Sequence, residues 1–537
     1  MKKADFLNYP FNSRRNTVFA KKGIVATSQP LAAQAGLRML QKGGNAIDAA
    51  IATAVALTVV EPTSNGIGGD SFSIVYHNGK LTGLNGSGRS PQSISAKKLR
   101  DKGLEKMKKF GWLPVTTPGI PGSWAALSER FGKLDFETLF ESAVEYAQNG
   151  YPITPTLGYN WDKAYKTYKK QLKDKQFENW FKTFAPKGRA PKVGEIWKSE
   201  DHARTLKEIA ESKAVSFYSG KIADEIASFS KKFGGYLSKE DLASFEVEWV
   251  DPIQVEYNGY NIWELPPNGQ GLSALMALGI LDKFDFYEKE NVETYHKQIE
   301  AMKLALTDGK TYITDRDEMS YKVEELLSEQ YLSKRRELIR DRAISPEPGK
   351  PEKGGTVYLA AADNEGNMIS YIQSNYMGFG SGLVVPERGI ALQNRGHLFS
   401  LDEDHDNVLK GNKKTYHTII PSFLTKDDKA IGPFGVMGGY MQPQGHLQVI
   451  MNTLDFNLNP QAALDAPRWQ WIDDKKVIVE KDFPENIAKQ LTKKGHEIKV
   501  KLHSGAFGRG QIIWKDSQNS VLRAGTEKRT DGTIASY

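Results

Sequence analysis

The sequence contains no cysteine in 537 residues. Disulfides, thiolate nucleophiles and thiolate metal sites are therefore excluded. It also lacks a long apolar run. The longest, "AIDAAIATAVALTVV" (Ala46 to Val60), carries Asp48 and is too short to span a bilayer. The start, "MKKADFLNYPFNSRR", is basic but has no apolar stretch of the kind a secretory signal needs, so the expected compartment is the cytoplasm, with no membrane partner. Charge of one sign is scarce too: 72 basic against 65 acidic residues leave a net +7. Nucleic-acid binding would need clustering. The best candidate, "KAYKTYKKQLKDKQFENWFKTF" (Lys163 to Phe184), interleaves acids at helical spacing and reads as a solvated amphipathic helix, so no nucleic-acid partner is expected. What is present is a globular composition, 39% hydrophobic and 10% aromatic, long enough for several domains or one large layered core.

Several familiar motifs fail when counted. "GIGGDS" (Gly66 to Ser71) ends in serine where a dinucleotide fingerprint needs its third glycine. No Walker A pattern occurs. "DEDHDN" (Asp402 to Asn407) starts like a calcium loop, then has Asn407 in place of the glycine and Lys413 in place of the bidentate glutamate. None of the nine histidines forms His-Glu-x-x-His. The expectation is an activity with no cofactor and no metal.

Along the chain, "PLAAQAGLRMLQK" reads as a helix started by Pro30 and ended by Gly43-Gly44, with Asn45 capping a second helix. Strand-like alternation follows around an Asn78-Gly79 turn. Residues 95–350 read as mostly helical, with short strands around "VEWVDPIQVEYNGYNIWEL". A polar, Pro-rich link, "SPEPGKPEKGG" (Ser345 to Gly355), leads into strand-like runs at "TVYLAAAD", "MISYIQSN", "GIALQN", "IIPSFLTK" and "GPFGVMG". Strands at both ends of the chain can share one core, so a cut in the link need not separate the two pieces.

The join of link and strand raises a chemical question. In "KGGTVYL" two glycines precede Thr356. This reads either as a loop entering a strand or as a cleavage site. A threonine hydroxyl can attack the carbonyl before it, here that of Gly355, and water then cleaves the resulting ester. Glycine helps because the backbone must leave standard geometry. The freed Thr356 would carry an α-amine of pKa about 8 beside its own hydroxyl, a built-in base for a nucleophile. Such a nucleophile needs backbone N–H groups for the developing oxyanion. Gly438-Gly439 in "GVMGGYMQPQGH" offers either those donors or a plain turn.

Read in order, "GLRMLQKGGNAIDAAIATAVALTVVEPTSNGIGGDSFSIVY", "TTPGIPGSWAAL", "GGTVYLAAADNEGN", "GFGSGLVVPERGIALQN" and "GVMGGYMQPQGHLQVIMNTLDFNLNPQAALDAPRW" resemble the γ-glutamyltransferase family, from about residue 23 to beyond 520. The resemblance implies an α+β, four-layer αββα N-terminal-nucleophile hydrolase fold. It implies a proenzyme cut between Gly355 and Thr356 into pieces 1–355 and 356–537 that form one core. Thr356 falls on the family nucleophile, Ser374 on the second hydroxyl residue that bonds it, and Gly438 and Gly439 on the oxyanion glycines. The substrate-gripping positions depart. The family's carboxylate-binding arginine falls on Ser87, with Arg89 two residues later. Its asparagine falls on Tyr376, next to Asn375, and its paired serines on His417-Thr418. Its amine-binding acid falls on Leu398, and the Phe399–Pro421 loop is short for a lid. The pattern resembles the γ-glutamyltransferase-like and acylase branch. Donor recognition is expected from Arg89, Arg395 and His417, with Asn375, Tyr376 and Thr418, acting on a γ-glutamyl or related dicarboxylic acyl amide. The alternatives are a glutaryl- or cephalosporin-type acylase and a member that never matures.

Overall fold

The computed structural model describes residues 11–13, 15–346 and 355–537. Most of the Ser345–Gly355 link and of the N-terminal "MKKADFLNYPFNSRR" lies outside them. Among the described residues no helix is long and apolar enough to cross a membrane.

Two seven-stranded antiparallel sheets organise the chain. Their strands, in chain order, are β1 (Val18–Ala20), β2 (Gly23–Thr27), β3 (Asp70–His77), β4 (Lys80–Gly86), β5 (Glu248–Val250), β6 (Ile253–Tyr257), β7 (Tyr260–Glu264), β8 (Gly355–Asp363), β9 (Met368–Tyr376), β10 (Ser422–Lys426), β11 (Lys429–Met437), β12 (Arg509–Lys515), β13 (Leu522–Thr526) and β14 (Thr533–Ser536). The first sheet runs β14-β2-β8-β9-β3-β4-β5 and the second β1-β13-β12-β11-β10-β7-β6. Each sheet mixes strands from before and after residue 355. β8 ladders with β2 on one side and β9 on the other, and β9 ladders with β3.

Side chains alternate across a strand, and here the two faces have different partners. In the first sheet Phe72, Ile74, Tyr358, Ala360, Ala362 and Ile372 meet Phe423, Met437, Ile513 and Ala524 of the second sheet in one apolar cluster. The intervening residues, Val75, Val357, Leu359, Ala361, Ile369 and Tyr371, join a cluster with α1 (Pro30–Gln41) and α2 (Ala46–Val60). The outer face of the second sheet, with Ile262, Leu424, Phe434, Val436 and Ile512, packs with α3 (Gly271–Leu281), α4 (Val292–Tyr312) and α5 (Met441–Leu454). α2 and α3 are buried along their whole length.

Local signals explain the elements. Pro30 opens α1, where its missing N–H costs nothing. Asn45 and Asp48 form a capping box at the start of α2. Asn78 and Gly79 both sit at positive φ, 48° and 79°, the turn that matches strand twist. Two expectations are corrected. "GIALQN" (389–394) is not a strand. Gly389 turns at φ 67°, and the segment makes only single bridges, Val384 to Ala391 and Gly68 to Leu392. The Lys163–Phe184 stretch is not one solvated helix. It divides between helices Pro155–Gln171 and Glu178–Phe184, because Tyr168, Trp180 and Phe184 pack around Phe379 and outweigh the exposed lysines.

Candidate active site

Thr356 lies at the entry of β8, 1% exposed, on the face that looks toward the other sheet. Its hydroxyl donates to Ser374 Oγ at 3.2 Å. Ser374 is near the end of β9, and its Oγ also accepts the Tyr376 N–H at 2.8 Å. The ladder is irregular here: Gly355 pairs with Tyr376 while Val357 pairs with Gln373. Tyr376 takes φ 71°, a left-handed conformation that costs a bulky residue free energy and that clusters at functional sites.

From Tyr376 a continuous set of contacts crosses to the second sheet. The Arg395 guanidinium stacks 4.5 Å over the Tyr376 ring. Its Nη1 donates to Thr418 Oγ1 at 2.6 Å. Thr418 O in turn accepts Gln270 Nε2 at 2.6 Å, and the same amide donates to Gly439 O at 2.9 Å. Gly438 and Gly439 turn the chain from β11 into α5 with φ 138° and 59°, angles that L side chains rarely adopt. A Cβ on Gly438 would sit 3.0 Å from Gly508 Cα. Beside Gly438 opens a cavity of about 430 Å³, lined among others by Phe110, Lys163, Met377, Tyr440 and Arg509.

Arg395 is 1% exposed, and its Nε and Nη2 have no hydrogen-bond partner among the described residues. Burial pulls its pKa down to about 10, although Asp70 opposes the shift. A buried cation with idle donors is costly. Nε–H and Nη2–H point out from one edge of the guanidinium as a parallel pair, the geometry that fits a carboxylate bidentately. His417, fully buried, accepts the Ile419 N–H at Nδ1 (3.3 Å), so Nε2 carries the proton and donates to Asp70 Oδ2 at 3.2 Å. Burial, then Arg395 and Lys414, hold His417 far below its usual pKa and hence neutral. Burial raises Asp70 to about 7, against the pull of Arg395.

Thr356, Ser374, Tyr376, Arg395, His417, Thr418, Gly438 and Gly439 therefore share one end of the inter-sheet space. Arg89 has its donors committed elsewhere, to Asp315 Oδ2 (2.6 Å), Glu248 Oε1 (3.2 Å) and Asn412 O (3.1 Å). Asn375 alternates to the opposite face of β9 from Ser374, packed so closely on Gly66 and Gly69 that a Cβ on either would meet its amide within 2.8 Å. Asp70 is the residue the sequence reading missed. It was legible only as part of "GIGGDS", a motif set aside for failing as a nucleotide loop.

Among the described residues His296, Glu300 and His496 form one buried group with metal-ligating atoms within 4.8 Å of one another. His496 Nδ1 has no partner among the described residues, and the other ligating atoms are engaged. His296 Nε2 donates to Arg340 O (2.6 Å), His496 Nε2 donates to His296 Nδ1 (2.8 Å), and the buried Lys303 ammonium donates to Glu300 at 2.6 Å. Lys303 supplies the cation that this carboxylate needs.

Facing antiparallel sheets bring a buried threonine, directly after a glycine, to the end where glycines of the second sheet turn, and comparison with known proteins assigns the chain to the N-terminal-nucleophile hydrolase class of enzymes. Residues 32–537 match the family described as Gamma-glutamyltranspeptidase. The chain is 34% identical to the Glutathione hydrolase-like YwrD proenzyme of Bacillus subtilis (strain 168), over 96% of this chain and 98% of that one. It is 30% identical to the Oxamate amidohydrolase proenzyme of Klebsiella pneumoniae, over 96% and 98%. Among solved structures, the cephalosporin acylase from Bacillus halodurans superposes with a TM-score of 0.96 at 60% identity, over 99% of each chain. The chain belongs to the γ-glutamyltranspeptidase family.

Proposed function

We propose that this chain is a proenzyme that cuts itself between Gly355 and Thr356 and then acts as an amidohydrolase or acyltransferase. Thr356 attacks the amide carbonyl of a donor, and its freed α-amine takes the hydroxyl proton. Ser374 positions the hydroxyl, and the N–H groups of Gly438 and Gly439 receive the oxyanion. The acyl group passes to water or to an amine. The observation that carries this reading is the Thr356–Ser374 hydroxyl contact at the first residue after Gly355, at the site end of both sheets. The inferred architecture is the four-layer αββα sandwich, supported by helices against the outer face of each sheet. Pieces 1–355 and 356–537 stay together after the cut, because every ladder of β8 and β9 to β2 and β3 joins one piece to the other.

The donor is a carboxylate-bearing acyl amide, γ-glutamyl or glutaryl in type. Support comes from the open guanidinium edge of Arg395, with Thr418 and His417 beside it. The amine half occupies the cavity beside Gly438. An acylase acting on glutaryl amides is the second reading, favoured by the relative named cephalosporin acylase. Intact mass of the purified protein tests the core claim: a fragment beginning at Thr356 is expected, and Thr356→Ala should stay uncut and inactive. A different start, or an uncut wild-type chain after long incubation, refutes it. Matched γ-glutamyl and glutaryl anilides then separate the two donors.

A further inference from the structure

The freed α-amine that serves as base in turnover does not exist in the precursor, where the Thr356 nitrogen is an amide. Self-cleavage therefore needs another proton acceptor, and it has to lie on the inter-sheet face near Thr356. Asp70 meets both conditions. It is the first residue of β3, and its Cα pairs directly with that of Ser374 across the ladder. Directly opposite residues place their side chains on the same face, with Cβ atoms about 4.5–5.5 Å apart, so Asp70 shares the face of the hydroxyl that receives the Thr356 hydrogen bond, and its Oδ1 has no hydrogen-bond partner among the described residues. The glycines of "GIGGDS" make this approach possible. A Cβ on Gly69 would lie 2.6 Å from Ser374 O. Asp70 is fully buried, and nothing in the turnover mechanism above uses it.

We propose that Asp70 is the proton acceptor for self-cleavage, taking the Thr356 hydroxyl proton by way of Ser374. The inference rests on the Gly355–Thr356 cut proposed above. As the Thr356 oxygen bonds to the Gly355 carbonyl carbon, its proton moves to Ser374 and the Ser374 proton moves to the Asp70 carboxylate. The carbon–nitrogen bond then breaks, and the Asp70 acid returns the proton to the departing Thr356 amine. Water hydrolyses the ester, leaving a Gly355 carboxylate and a free Thr356 hydroxyl. Charged and titratable groups around Asp70 are few. His417 donates to it and is held neutral, Arg395 and Lys414 favour its ionised form, and the Tyr218 phenol, itself pushed far up by burial, faces it. The carboxylate is the base form, so cleavage should quicken as pH rises and level off above about 7.

The test follows full-length chain made by cell-free translation, quenched over time at pH 5 to 9 and read by intact mass. Wild type should show the rise and plateau. Asp70→Asn should cleave about 10² or more times slower at pH 7 and lose the inflection, and Asp70→Glu should recover part of the rate. The loss in cleavage should exceed any loss in anilide turnover per matured chain at least tenfold. Equal losses in both would make Asp70 a structural support and overturn the proposal. So would a folded Asp70→Asn cleaving within threefold of wild type. Should Asp70→Asn fail to fold, a flat wild-type pH profile overturns it independently. Wild-type chain that never starts at Thr356 instead overturns the reading on which the proposal rests.

Discussion

Arg395→Gln is the substitution in which stability and function should part. In the structure the guanidinium is 1% exposed, donates from Nη1 to Thr418, and leaves Nε and Nη2 without partners among the described residues. Without a donor bound, the protein carries the desolvation cost of a cation whose nearest balancing charge, Asp70, is shared with His417. A neutral amide of similar reach can still donate to Thr418 and removes that cost, so Tm should hold or rise. With a donor bound the sign reverses. The donor carboxylate would be buried without its fork, and truncating one member of a buried charge pair costs about 2–5 kcal/mol, or roughly 30-fold to several thousand-fold at about 1.4 kcal/mol per decade. The carboxylate is remote from the scissile carbon and is held alike in ground and transition states, so the loss should fall mainly on KM. The assay compares kcat/KM for glutaryl and uncharged butyryl anilides. Wild type should prefer glutaryl strongly, and Arg395→Gln should erase the preference while leaving butyryl turnover nearly untouched. Arg395→Lys, which keeps charge but loses the planar pair, should fall between. A folded Arg395→Gln that still prefers glutaryl by the wild-type ratio would refute the carboxylate site.

Gly438→Ala should lower kcat by about 10²–10³ if the turn supplies oxyanion donors, with a smaller Tm loss from the φ of 138° and the contact with Gly508. A folded variant with wild-type kcat removes the turn from catalysis. Lys303→Met should destabilise by about 3–5 kcal/mol in urea unfolding, because it strands the fully buried Glu300. Adding Glu300→Gln should recover most of that, and a single variant as stable as wild type would refute the reasoning about this buried pair.

Much of the scaffold was legible because its signals are local. Pro30, the Asn45 cap, the Asn78-Gly79 turn and the Gly438-Gly439 switch from strand to helix each act within a few residues. The strand expected at "GIALQN" failed because an apolar run does not say whether a neighbouring ladder is vacant, and here each flanking contact is a single bridge. The aromatic stretch after Lys163 failed for a related reason: lysines announce solvent, but the burial of Tyr168, Trp180 and Phe184 depends on Phe379 arriving from the far side of the chain.

The site divides along the same line. Thr356 could be read from its two preceding glycines, whereas Asp70 acquires meaning only through the register that sets it opposite Ser374 and beside His417, 347 residues away in sequence. Arg89 and Arg395 are the sharpest case. Both are arginines near family motifs, and residue type assigns both to a carboxylate. What separates them is whether their donors are already spent. Asp315, Glu248 and the Asn412 carbonyl take those of Arg89, and these partners come from three distant segments. Arg395 spends one donor on Thr418 and stacks on an aromatic face, and its Nε and Nη2 have no hydrogen-bond partner among the described residues. The proposed carboxylate site thus rests on which guanidinium keeps donors open, a property of tertiary contacts and not of residue type.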